Sequence, residues 1–286
     1  MVTFYNLGEL GRLGNQLFQY AAIKSLSLKN NYECKIPNIT VKSWHGQKSL
    51  LNCFNIESDF FTDEEISKVD KIYNEPRWDK IDENFFSIPD NTNINGFFQS
   101  LFYFEEFEPQ IKKELTPKEE FLLPNKDYIK KLKEQYKGYE IVSVHIRRGD
   151  NMENNQEGLI KAYEKNGLYF TYFNKAKEVF KNKKVKFLIF TGGARGDENN
   201  DSDIKWCKEN FIGDEFIFSE NQKQIDDFCR IMSCDHNILS HASSFGWWAA
   251  YINPNPNKIV VAPEWYHPDE PTLKRNKFYP SNYILK

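Results

Sequence analysis

The sequence predicts an α/β fold built on parallel sheets. Short β-branched runs recur through its second half, stretches of helical periodicity separate them, and glycines crowd the first passage from an apolar run to a helical pattern. Strands that alternate with helices of that length need crossover connections, and crossovers give parallel pairing.

Val2–Tyr5 is the first strand candidate, and Gly8, Gly11 and Gly14 mark the turn after it. Apolar residues then return at helical spacing: Phe18, Ala22 and Leu26 on one row, Leu17, Tyr20, Ala21 and Leu28 beside it. Residues 35–125 carry short aromatic clusters, several prolines and many asparagines, and no strand order can be traced through them. The Lys- and Glu-rich stretch Glu119–Tyr139 reads as a solvated helix ending at Gly138. Ile141–Ile146, Val185–Phe190, Phe216–Phe218, Asn237–Leu239 and Lys258–Ala262 follow as strands. Helical patterns lie between them, over about 169–181, 203–210, 223–233 and 243–252. Two domains are expected, 1–140 and 141–286, divided where the first strong strand of the second half begins.

Composition bounds the function. The chain has 286 residues, of which 40% are hydrophobic and 16% aromatic, enough for a sizeable core and too much for wholesale disorder. Lys and Arg number 38 against 41 Asp and Glu, a net charge of −3 that excludes a general polyanion binder such as a duplex-DNA protein. Five cysteines with no CxxC pair argue for a reducing compartment rather than a disulfide framework. No apolar run approaches the ~20 residues of a membrane span. The N-terminus also lacks the basic start and apolar core of a signal peptide. A soluble, cytoplasmic protein is the expectation.

Three motifs could carry chemistry. Gly11-Arg12-Leu13-Gly14-Asn15-Gln16 sits between a strand and a helix, where backbone N–H groups and the helix dipole favour an anion. Gly14, Asn15 and Gln16 are the candidate contacts there, although a tight turn alone also explains the glycines, and the spacing is not GxGxxG. His145-Ile146-Arg147-Arg148-Gly149-Asp150 ends a strand, the edge at which open α/β sheets bind ligands. Adjacent arginines at such an edge call for an anion or a carboxylate. A diphosphate suits their guanidinium forks, and an internal pair with Asp150 is the competing explanation. Ser243-Ser244-Phe245-Gly246-Trp247-Trp248 opens a helix, where either serine can cap or bind phosphate and Phe245 can stack on a base or sugar. Trp247 and Trp248 read as helix packing. Asp201-Ser202-Asp203 resembles a metal-binding DxD but reads more simply as a solvated loop capping the next helix. Cys229, Cys234, His236 and His241 lack compact zinc spacing.

GRLGNQLFQYA, HIRRGD and SSFGWWAAY, in that order, resemble the α1,2-fucosyltransferases of glycosyltransferase family 11. Trp206–Asn210 and Ala262–Trp265 also fit that family's pattern, so the resemblance spans roughly residues 8–265. It implies a GT-B fold, two Rossmann-like domains facing a cleft, with an acceptor-side domain 1–140 and a donor domain 141–286. It implies an inverting transfer of L-fucose from GDP-β-L-fucose to the 2-hydroxyl of a terminal galactose in an oligosaccharide, with no obligatory metal or other cofactor. Arg147 would hold the diphosphate with Arg148 beside it, and His145 would lie next to the nucleotide. Asn15 would reach the donor from the opposite domain, and Ser243, Ser244 and Phe245 would match the third motif at the donor site. Asp150 and His45 are the candidate general bases. The chain departs from bacterial relatives at Ala242 and Gly246, where Asn and Ser are common. It also departs after the strand 185–190, where an acidic pair is common and this chain has Thr191-Gly192-Gly193. A glycosyltransferase using another nucleotide sugar, and a non-catalytic nucleotide- or glycan-binding protein of the same fold, are the competing functions.

Overall fold

The computed structural model describes residues 1–44, 47–149, 168–192, 201–220, 222–264 and 277–286. It divides into two units, Met1–Lys118 with Arg275–Pro280, and Glu119–Lys274 with Ser281–Lys286. The division falls at Lys118/Glu119 rather than at the expected 140/141. The physical reason is helix α3, Glu119–Gln135, which is not merely solvated. It buries Leu122, Asn125, Ile129 and Leu132 and packs on helix α6, Gln224–Ser233, inside the second unit. Asn125 fixes that contact by donating to Asp226 Oδ1 at 2.8 Å and accepting from Arg230 Nε at 2.9 Å.

In the first unit, strand β1 (Val2–Thr3) leads through the glycine turn into helix α1 (Leu13–Asn30). The helix is longer than its periodicity predicts and is buried nearly all round, its core side chains including Leu17, Phe18, Tyr20, Ile23 and Leu26. Strands β2 (Lys35–Ile36) and β3 (Asp59–Phe60) pair in parallel, and an isolated parallel bridge from Val2 to Cys34 joins them to β1. On the other side of β1 lies β5 (Thr92–Asn95), followed by β4 (Lys71–Asn74), all parallel. The spatial order is therefore β3-β2-β1-β5-β4. The chain moves outward from β1 in one direction and then returns to its other side, so a topological switch point lies between β1 and β5. Helix α2, Glu108–Glu114, ends this unit's helical layer.

Among the described residues the second unit holds six strands: β6 (Glu140–Arg147), β7 (Val185–Gly192), β8 (Phe216–Phe218), β9 (His236–Ile238), β10 (Val260–Ala262) and β11 (Ile284–Leu285). They run parallel in the order β8-β7-β6-β9-β10-β11. Numbered from β6, that is 3-2-1-4-5-6, the order of the dinucleotide-binding fold, with its switch point between β6 and β9. Helices α4 (Leu168–Glu178), α5 (Asp201–Asn210), α6 and α7 (Ser244–Ile252) make the crossovers among the described residues. A strand covered on both faces needs apolar residues at successive positions rather than in alternation, and β6 is buried from Ile141 to Ile146. Val142, Val144 and Ile146 meet Phe173, Phe180, Phe187 and Ile189 on one face. No helix among the described residues is long and apolar enough to cross a membrane.

Candidate functional site

The second-unit site lies at the switch point, where the carboxyl ends of β6 and β9 open onto loops. Arg147 is the last residue of β6, paired in register with Gly192 of β7. Its backbone N–H donates to Ser240 Oγ at 3.2 Å, just beyond β9, and its carbonyl accepts from Tyr169 Oη at 2.7 Å. Its Nη1 donates to the carbonyls of Arg148 (3.2 Å) and Gly192 (3.4 Å). The guanidinium is thus held at the sheet edge by backbone oxygens while staying half-buried.

Arg148 takes a different part from the one expected. It is buried, its Nε donates to Asp203 Oδ1 at 3.1 Å, and its guanidinium lies 4.0 Å from the Trp206 ring centroid. The same carboxylate accepts the backbone N–H of Gly149 through Oδ2 at 3.1 Å. Asp203 is itself fully buried near the start of α5, not a solvated loop residue. The carboxylate that pairs with Arg148 is thus Asp203; the pair with Asp150 weighed from the sequence lies outside the described residues. A missed signal lies in the helical spacing: Asp203, Trp206 and Cys207 share one face of α5 with Ile204 beside them, and that face is buried.

His145 alternates away from Ile146, against the Phe245 ring at 5.7 Å between centroids. Burial, and secondarily the charge of Arg147, lower its pKa to about 3, so the imidazole is neutral over the whole physiological range. Among the described residues its Nδ1 has no hydrogen-bond partner. A Cβ on Gly246 would come within 2.8 Å of that nitrogen, which explains why α7 opens with a glycine at this point. Of the two serines, Ser243 is the N-cap: its Oγ accepts from Gly246 N at 3.4 Å, and Ser244 begins the helix. Phe245 is partly exposed and also meets Phe228 edge-on at 5.4 Å. Trp247 and Trp248 are fully buried packing residues, as their pattern predicts.

The first-unit motif sits at the equivalent edge. Gly11 adopts φ +77°, and a Cβ there would lie 2.5 Å from Asn15 Nδ2, so the turn closes only with glycine. Gly14 is buried in the first turn of α1. Asn15 Oδ1 accepts from Gln99 Nε2 at 2.6 Å, joining the first turn of α1 to the loop after β5 across the switch point. Gln16, expected to face a ligand, is instead buried and bonded at both ends of its amide. Nε2 donates to the Gly11 carbonyl and Oε1 accepts from Ser49, each at 2.8 Å. Its role is to fasten the turn. Gln99, in the untraceable stretch, carried no motif. His45 and Asp150 lie outside the described residues.

Comparison with known proteins gives the chain a family. The family model described as Glycosyl transferase family 11 matches residues 3–285. The chain is 28% identical over 287 residues to an α-1,2-colitosyltransferase of Escherichia coli, covering 91% of each. It is 25% identical to galactoside α-(1,2)-fucosyltransferase 2 of Rattus norvegicus, covering 94% of this chain and 72% of that protein. Among solved structures, fucosyltransferase NodZ from Bradyrhizobium superposes with a TM-score of 0.51 at 15% identity, covering 88% of this chain and 93% of that one. That likeness shows the fold, α/β of GT-B type.

Proposed function

The chain belongs to glycosyl transferase family 11, and from that premise we propose that it moves L-fucose from GDP-β-L-fucose to the 2-hydroxyl of a terminal galactose, with inversion at the anomeric carbon. The observation that carries this reading is Arg147: a guanidinium held by backbone carbonyls at the carboxyl end of β6, at the switch point, close in sequence to the strand's neutral His145. Breaking the sugar–phosphate bond leaves negative charge on the diphosphate. A guanidinium fork, the N-terminus of α7 and nearby backbone donors are suited to meet it without a metal. The acceptor oxygen attacks from the opposite ring face through an oxocarbenium-like state. A carboxylate or imidazole takes its proton, for which Asp150 and His45 remain the candidates. His145, neutral and with Nδ1 unpaired, offers the nucleotide a hydrogen-bonding group that adds no charge. Ser243, Ser244 and Phe245 line the same helix start, and Asn15, at the first unit's own sheet edge, is a further donor-binding candidate.

One observation favours a second donor. The E. coli relative, named a colitosyltransferase, is matched over nearly its whole length. Colitose differs from fucose by one missing hydroxyl, so a site built for one needs little change to take the other. The test is incubation with GDP-fucose and, separately, GDP-colitose over a panel of β-galactosides, scored by GDP release and product mass. A product heavier by one deoxyhexose, linked at the 2-hydroxyl and formed equally with a chelator present, is the expected result. Product from GDP-colitose alone moves the assignment to the second donor, and failure of GDP to stabilise the fold overturns both.

A further inference from the structure

Two side chains outside the three motifs hold the main chain of Arg147, at the point where the sheet stops holding it. The register of β6 with β9 ends at Val144 and Ile238, three residues before Arg147. Beyond that point β9 supplies no ladder partners, and main-chain N–H and C=O groups at a covered sheet edge need others. Arg147 N donates to Ser240 Oγ at 3.2 Å, two residues past the end of β9. Arg147 O accepts from Tyr169 Oη at 2.7 Å, in the first turn of α4.

The two bonds act on different peptide planes. Each peptide is rigid and planar, so the N–H fixes the plane before the Arg147 Cα and the C=O fixes the plane after it. Together they set φ and ψ of Arg147, and with them the direction in which its side chain leaves the strand. A guanidinium sits about 6 Å from its own Cα, so a tilt of about 10° there displaces it by about 1 Å. Misplacement on that scale can cost about 10²-fold in rate. Both holders are themselves fixed. Ser240 and Tyr169 are buried, and the Tyr169 ring meets the Trp206 ring at 6.1 Å between centroids. Trp206 in turn carries the guanidinium of Arg148, so Tyr169 bears on both arginines of the motif.

We propose that Tyr169 and Ser240 are positioning residues for diphosphate binding, a main-chain clamp that sets the direction of the Arg147 side chain. The proposal rests on the reading of Arg147 as the group that holds the donor's diphosphate. It extends that reading to two residues that act through Arg147 rather than on the donor.

The test uses the full chain, with GDP as probe and titration calorimetry as readout, so it needs no transfer. Arg147→Ala should weaken GDP binding about 10–100-fold, the loss of a charged hydrogen-bonding group. Tyr169→Phe removes one oxygen and keeps the ring, and Ser240→Ala removes the other hydroxyl. Each should weaken GDP binding about five-fold. In an Arg147→Ala background neither change should weaken it further, because the clamp then has no guanidinium to aim. A purely structural role predicts the same fold-loss with or without Arg147, and that result overturns the clamp. Wild-type GDP affinity in both single variants, beside an Arg147→Ala that has lost it, also overturns the clamp and leaves the diphosphate reading intact. GDP binding that is absent from wild type, or unchanged in Arg147→Ala, removes the reading itself and the clamp with it. In the transfer assay Tyr169→Phe should lower kcat about ten-fold with the acceptor KM unmoved.

Discussion

The two units share one topological device and build it from different materials. Each winds outward from its first strand, returns to the other side and leaves a switch point flanked by two loops. In the second unit the edge is tied by a buried ion pair, Arg148 with Asp203, set against Trp206. In the first it is tied by neutral amides and a carboxylate on backbone groups: Asn93 on Tyr5 N, Gln16 on Gly11 O, Glu75 on Phe97 N, and Gln99 on Asn15. The lesson is that a sheet edge of long buried strands tolerates charge in its fastening, because the surrounding apolar layers fix the pair's geometry. Strands of two to four residues form few ladder bonds, and short polar ties supplement them beside their apolar core.

The largest expected effect tests that contrast directly. Asp203→Ala leaves the Arg148 guanidinium buried without this carboxylate and removes an acceptor from Gly149 N. Breaking one side of a buried pair costs about 3–5 kcal/mol, read in chemical denaturation, whereas Arg148→Met with Asp203→Leu should recover most of the loss. Equal instability of the double variant would mean that the pair is not what holds this edge. Arg147→Ala separates fold from chemistry at the neighbouring position. Turnover should fall by ~10²–10³ with the melting temperature unchanged, as for loss of an oxyanion donor. Wild-type turnover would remove Arg147 from its role.

Gln16→Ala probes the other material. It strips a partner from the Gly11 carbonyl and from Ser49 in a buried setting. The expected loss is about 1–3 kcal/mol. A loss as large as that of Asp203→Ala would erase the distinction between the two fastenings.

The same contrast explains what could be read from the sequence. All five strands expected in the second half are present, because β-branched runs such as Val185–Phe190 are long enough to declare themselves and both faces are covered. The second unit's last strand, Ile284–Leu285, and the first unit's β2 to β5 are too short for any periodicity. Thr92–Asn95 reads TNIN, polar enough to pass for a loop, and becomes a strand only through its pairing with β1 and β4. At the site, His145, Arg147 and Ser243 were legible as strand-end and helix-start residues. Arg148 and Gln16 were not, since their partners Asp203 and Ser49 lie 55 and 33 residues away.

The smallest effect concerns Ala242, in the loop between β9 and α7. Its φ of +47° is left-handed, a conformation that costs a residue with a Cβ about 1–2 kcal/mol and that glycine adopts freely. Asparagine, common at this place in the bacterial relatives the sequence resembles, tolerates it better than alanine does. Ala242 stands immediately before the cap of α7, so the strain sits where the candidate phosphate-facing helix is aimed. Ala242→Gly should therefore stabilise the protein by about 0.5–1 kcal/mol, less than the full relief because glycine also frees the unfolded chain. If the strain serves only to turn the chain, turnover will not change. A gain in melting temperature with a raised donor KM would mean that the constrained loop aims α7, and that the second unit holds its site by backbone strain as well as by charge.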